Sequence, residues 1–166
     1  LLVIPMLDSL PLLANFSIGA DNLSKSSARP AQTSAAAQQV ILVVEDNIGN
    51  FKLIARLLGT LGVQCEWKTS GYQVVEFADQ LPRIDLVLMD IRLPYEDGFE
   101  AMRKIRQSGK FVGIPIVAVT AVAGPENMKT AMLAGFDGFI GKPLDPDRFP
   151  EQIQQILAGK AVWAYN

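Results

Sequence analysis

A doubly wound α/β fold is the expectation for this 166-residue chain: a parallel sheet in the strand order 2-1-3-4-5 with helices on both faces. Three observations lead to it. From residue 40 onward, five short apolar runs alternate strictly with stretches of helical period, the pattern of successive βα units. The first, third and fourth runs are continuously apolar, as strands covered on both faces should be. The second, VQCEWK, alternates instead, which suits an edge strand and leaves the first strand between the second and the third.

The elements follow in order. VILVV (40–44) is the first strand. Phe51, Ile54, Leu57, Leu58 and Leu61 then recur at three- and four-residue steps, the stripe of a one-faced helix over 48–61, with Gly62 as its stop. VQCEW (63–67) is the second strand, and GYQVVEFADQ (71–80) reads as a helix with Ser70 as N-cap. IDLVLM (84–89) is the third strand, followed by a helix at 98–107. IPIVAV (114–119) is the fourth, followed by a helix at 125–134 that Gly135 closes. GFIG (138–141) is the fifth, and a last helix spans 147–158. No internal repeat is visible.

This places one domain at 40–160, preceded by two other segments. Residues 23–39 are rich in Ser, Ala and Gln without apolar period, which reads as a linker. Residues 1–22 are apolar but broken by Pro5 and Pro11; with Asp8 mid-run and no basic start they do not read as a signal peptide. The expectation is a dispensable extension rather than a docking strip. The chain begins with Leu1 rather than Met, as a fragment or processed product would. Residues 161–166 form a C-terminal tail, whose Trp163 and Tyr165 either pack back on the domain or belong to a contact surface.

Composition removes several functions. At 49% apolar and 19% charged residues a sizeable core is available. A net charge of −2 gives no basic field, so nucleic acid is not an expected partner. No apolar run approaches the ~20 residues that a spanning helix needs, so no membrane is expected either. The single cysteine, Cys65, leaves no internal disulfide and fits a reducing, cytoplasmic setting; on its strand it reads as a small apolar residue. The chain has no histidine, which removes Ser-His-Asp and Cys-His catalysis and every His-ligated metal site within it.

The chemistry gathers at the strand ends. In a sheet of this order the crevice lies beyond the carboxyl ends of the strands, between the first and third. The first strand runs into Glu45 and Asp46, the third into Asp90, the fourth into Thr120 and the fifth into Lys142. Two carboxylates about 4 Å apart repel by about 4 kcal/mol at an effective dielectric of 20, and one lysine leaves three of them short of positive charge. Oxygen donors without His or a suitably placed Cys favour a hard divalent cation such as Mg²⁺. A carboxylate beside such an ion, a lysine and a hydroxyl has the parts for accepting a phosphoryl group, with Asp90 as nucleophile. Asp46 and Glu45 also suit the cap of the first helix.

With VVEDN, LMDIRLPYEDG, AVTA and FIGKP in this order, and Gly98 eight residues past Asp90, residues 40–160 resemble a response-regulator receiver domain of two-component signalling. The resemblance implies a flavodoxin-like (βα)5 fold. It implies a phosphoacceptor Asp90, with Mg²⁺ held by Glu45, Asp46, Asp90 and the backbone carbonyl of Arg92. It makes Thr120 and Phe139 the switch pair and Lys142 the partner of the phosphoryl oxygens. The Lys142–Pro143 bond is expected to be cis. The implied partners are a histidine kinase or a histidine phosphotransfer protein. A homodimer would form through helix 4, strand 5 and helix 5 or through the N-terminal extension. The Arg92 side chain either screens the phosphoryl group, contacts a partner or is solvated, and Ala121 leaves the acyl phosphate reachable.

Two other readings use the same residues. A binding module would keep the fold with phosphorylation incidental. A haloacid-dehalogenase-type phosphatase would need a second acid two residues after Asp90, where this chain has Arg92. With six residues after Lys160, the expectation is a stand-alone receiver or the C-terminal receiver of a hybrid kinase, rather than an enzyme.

Overall fold

The computed structural model describes residues 38–165. The extension at 1–22 and all but the last two residues of the linker at 23–39 lie outside the described residues. Six strands and five helices alternate: β1 (Val40–Val44), α1 (Ile48–Gly59), β2 (Gln64–Lys68), α2 (Val74–Asp79), β3 (Leu86–Met89), α3 (Gly98–Gln107), β4 (Ile116–Thr120), α4 (Pro125–Ala134), β5 (Gly138–Gly141), α5 (Arg148–Leu157) and β6 (Trp163–Ala164). The strands form one sheet in the order β2-β1-β3-β4-β5-β6, all pairs parallel. The expected order 2-1-3-4-5 stands, extended by a strand that the sequence reading took for a tail.

The apolar runs become central strands because both of their faces are covered. Every residue of β1, β3, β4 and β5 is buried, whereas Gln64 of β2 is exposed and the rest of that strand half-buried. Side chains alternate between faces. Ile41 and Val43 therefore join the layer of α1 and α5 with Leu58, Phe149 and Ile153, while Leu42 and Val44 join Val74, Met102 and Phe139 on the other face. Burying an aliphatic or phenyl side chain stabilises by about 1.5–3 kcal/mol, so these two layers supply the main drive for folding.

Several element boundaries differ from the sequence reading by one to three residues. The helix expected at 71–80 begins only at Val74, after Gln73 in the left-handed region at φ 52°, and Ser70 does not cap it. Gly71 instead lets the chain pass close to the next loop: a Cβ there would lie 2.8 Å from the Glu96 carbonyl oxygen. The first helix ends at Gly59 with Thr60 as C-cap, and Gly62 at φ 68° closes the turn that follows. At the foot of the sheet, β3 and β4 start two residues later than their apolar runs. There the carboxylates of Asp85 and Asp137 accept from the N–H groups of Val40 (2.8 Å) and Ile116 (2.7 Å). The second strand is shifted by one residue, to 64–68, and the last helix runs from 148 to 157.

Candidate functional site

The register of the sheet decides what meets at its carboxyl end. Val44 of β1 lies opposite Met89 of β3, and the Asp90 N–H donates to the Val44 carbonyl at 2.9 Å. Glu45 and Asp90 are thus neighbours as a consequence of pairing. Thr120 lies opposite Gly141, and the Lys142 N–H donates to the Thr120 carbonyl at 2.8 Å.

Carboxylate oxygens of Glu45, Asp46 and Asp90 lie within 4.8 Å of one another. Glu45 and Asp90 are buried at 1% and 7% exposure, while Asp46 is exposed. The Lys142 ammonium donates to Glu45 Oε2 and Asp90 Oδ2, both at 2.6 Å. Burial alone would lower the lysine's pKa, but its hydrogen bonds to Asp90 and Glu45 and their charges outweigh that and raise it above the ordinary value. One ammonium against three carboxylates leaves the cluster two charges negative. An all-oxygen donor set with that excess fits a hard divalent cation, and the residues present therefore suit Mg²⁺.

The sequence reading missed several supports of the site. The cap of α1 is Asn47, whose Oδ1 accepts from the N–H groups of Gly49 (2.8 Å) and Asn50 (3.1 Å), so neither Glu45 nor Asp46 has that role. Freed from capping, Glu45 Oε1 accepts from the Asn47 N–H (3.2 Å) and Asn50 Nδ2 (2.8 Å). Trp67 Nε1 donates to the Glu45 carbonyl at 2.8 Å while its ring stacks on Phe51 at 4.5 Å. Asn47 stands in the quoted VVEDN motif and is a strong N-cap type, so that signal was available. The Trp67 contact spans 22 residues and carries no local signal.

On the other side of the crevice, Asp90 Oδ1 accepts from the Arg92 N–H at 3.0 Å. The Arg92 side chain is exposed and borders a depression of about 230 Å³ with Val122 and Asn127. Gly98 has a direct steric role: a Cβ there would lie 2.3 Å from the Asp90 carbonyl oxygen, so α3 can start against the loop after β3 only with glycine. Thr120 is fully buried, with Oγ1 accepting from the Val122 N–H at 3.3 Å. Phe139 is also fully buried, and the Lys142–Pro143 bond is cis.

The residue pattern of the response regulator receiver domain family matches residues 41–154. The chain belongs to that family. Its receiver sequence is 32% identical over 133 residues to the signal transduction histidine-protein kinase BarA of Escherichia coli, covering 80% of this chain but only 14% of that protein. It is 32% identical over 117 residues to the polar-differentiation response regulator DivK of Brucella anthropi, covering 70% of this chain and 94% of that protein. Among solved structures, the receiver domain of sensor histidine kinase PA1611 from Pseudomonas aeruginosa superposes with a TM-score of 0.65 at 35% identity. That match covers 75% of this chain and all of the other, which has a magnesium ion coordinated in its active site cleft. The chemotaxis protein CheY4 of Vibrio cholerae shares the fold at a TM-score of 0.66 and 24% identity, over 72% of this chain and 99% of that one. The receiver's acidic cluster is compatible with the same kind of ion, and receivers interact with histidine kinases or phosphotransfer proteins. No helix among the described residues is long and apolar enough to cross a membrane.

Proposed function

We propose that this receiver takes a phosphoryl group from a phosphohistidine of another chain onto Asp90. The observation that carries the reading is the placement of Asp90 between Lys142 Nζ, 2.6 Å away, and the acids of Glu45 and Asp46. An Asp90 carboxylate oxygen forms the new bond to phosphorus. The P–N bond breaks, and its electron pair leaves with the departing imidazole. Lys142 offsets charge on the transferred oxygens, and the Thr120 hydroxyl bonds one of them. Glu45, Asp46, Asp90 and the Arg92 carbonyl would hold Mg²⁺, which supplies charge neutralisation at the phosphoryl group. The magnesium ion in the PA1611 receiver's cleft supports this assignment.

Thr120 and Phe139 would report the change to the face formed by α4, β5 and α5, where a partner or a second copy docks. The donor must lie on another chain or another domain, since this sequence has no histidine. Its likeness to a kinase receiver and to DivK supports both a hybrid-kinase and a single-domain setting. Incubation with acetyl phosphate and Mg²⁺ should add one phosphoryl mass, mapped to Asp90 and absent from Asp90→Asn. A chain that gains none, or a variant that gains the same, refutes the assignment.

A further inference from the structure

Two exposed tyrosines stand on loops that touch, the one before α2 and the one before α3. Tyr72 is 57% exposed and Tyr95 is 96% exposed. A single exposed ring is ordinary, but two on adjoining loops make a patch. Their segments meet at Gly71, where a Cβ would lie 2.8 Å from the Glu96 carbonyl oxygen. The Glu96 N–H donates to the Pro94 carbonyl at 2.8 Å, so Tyr95, at φ 68°, is the centre of a strained γ-turn. Glycine would fit there without strain, yet the chain keeps a tyrosine whose ring lies almost wholly in solvent.

The acids beside these rings are unevenly paired. Tyr72, Glu76 and Lys104 line a cleft of about 440 Å³. The Lys104 ammonium donates to Glu96 Oε2, and that bond, with charge on Glu96, Glu100 and Glu76, raises its pKa above the ordinary value. Held by Glu96, the lysine makes no hydrogen bond to Glu76, whose exposed carboxylate has no ion-pair partner among the described residues. The Glu96 side chain is nine-tenths covered. Its Oε1 is the one buried side-chain polar atom among the described residues without a hydrogen-bond partner. Glu76 and Glu96 thus set two negative charges around the cleft against one ammonium.

We propose that Tyr72, Glu76 and Tyr95 form a docking patch for an arginine-bearing segment of a partner protein. The guanidinium stacks on the Tyr72 ring and forks to the Glu76 carboxylate, while Tyr95 covers an apolar neighbour of the arginine. Arginine suits the place better than lysine, because its planar head stacks on a tyrosine and also meets a carboxylate through two N–H groups. Glu96 has a different task. It keeps Lys104 off Glu76 and so leaves that acid open to the partner. This contact uses elements other than α4, β5 and α5, and it needs no phosphoryl group on Asp90.

An NMR titration of the full chain with the peptide GGRFGG tests this, beside its lysine and citrulline analogues. The arginine peptide should give saturable shifts of the Gln73, Glu76 and Tyr95 amides. The lysine peptide should bind more weakly, and the neutral citrulline peptide should give no shift. Glu76→Gln should weaken the arginine peptide about fivefold, the size of one exposed charge pair. Glu96→Met should weaken it too, because Lys104 is then free to turn to Glu76. Tyr95→Gly should not lower the melting temperature, since glycine relieves the turn, yet it should weaken binding; loss of fold cannot mimic that pair of results. No shift with the arginine peptide, equal binding of the citrulline peptide, or full affinity in Glu76→Gln overturns the patch. So do shifts confined to Asp46 and Asp90, which would place the peptide on the acid cluster instead.

Discussion

At the foot of the sheet, Asp85 is paired with Arg83 and Asp137 with Arg106, so each acid has its own guanidinium. At the carboxyl end, Lys142 is shared by Glu45 and Asp90, with Asp46 beside them. The foot acids also accept strand N–H groups, those of Val40 and Ile116, and their charges are balanced where they stand. Partly exposed pairs of that kind hold the starts of strands and are worth little beyond it. The Lys142 side chain at the other end is nine-tenths covered and still leaves two negative charges unmatched. Similar residue types therefore do structural work at one end and gather an excess of negative charge at the other.

The widest contrast should come from removing the cations. Lys142→Ala leaves two buried carboxylates without their partner and should cost about 3–5 kcal/mol in denaturant unfolding without metal, part of which Mg²⁺ restores. Next, Mg²⁺ at a hundred times its dissociation constant should stabilise the unmodified chain by about 2.7 kcal/mol. Asp46→Asn should lose most of that gain while staying as stable as the parent in chelator, since it relieves repulsion.

The pH dependence should also divide by region. Burial alone would raise the pKa of Asp85, but hydrogen bonds from Arg83 and the Val40 N–H lower it overall. Its contribution is present above the ordinary carboxylate pKa and is lost as pH falls through the lowered folded value, so Asp85→Asn should flatten the acid limb of stability against pH. Lys142, raised by Asp90 and Glu45, acts in the opposite direction. Its contribution is complete below the ordinary lysine pKa and is lost as pH rises through the higher folded one, so Lys142→Ala should flatten the alkaline limb. The smallest effect belongs to Arg106→Ala, about 1 kcal/mol or less, because the exposed Asp137 keeps its bond to Ile116. A loss there as large as at Lys142 would erase the distinction between the two ends.

What was legible in the sequence follows from how local each signal is. Doubly covered strands read as unbroken apolar runs, and α1 and α3 show their periods. Strand order placed Glu45, Asp46, Asp90, Thr120 and Lys142 at one end. The start of α2 was illegible because Gly71 answers to Glu96, a loop far along the chain. β6 was illegible because two residues carry no period and their partners, Phe139 and Ile140, lie more than twenty positions earlier. The Trp67 bond to Glu45 is long-range in the same way.

That bond also supplies the most direct test. In Trp163→Phe the remaining indole, Trp67, touches the Glu45 backbone beside the acid cluster. Titrating Mg²⁺ into this chain should give a saturable change in Trp67 emission that disappears in Asp46→Asn and in Asp90→Asn. An unchanged emission, or a response that survives both substitutions, would contradict the claim that these three acids share one hard cation.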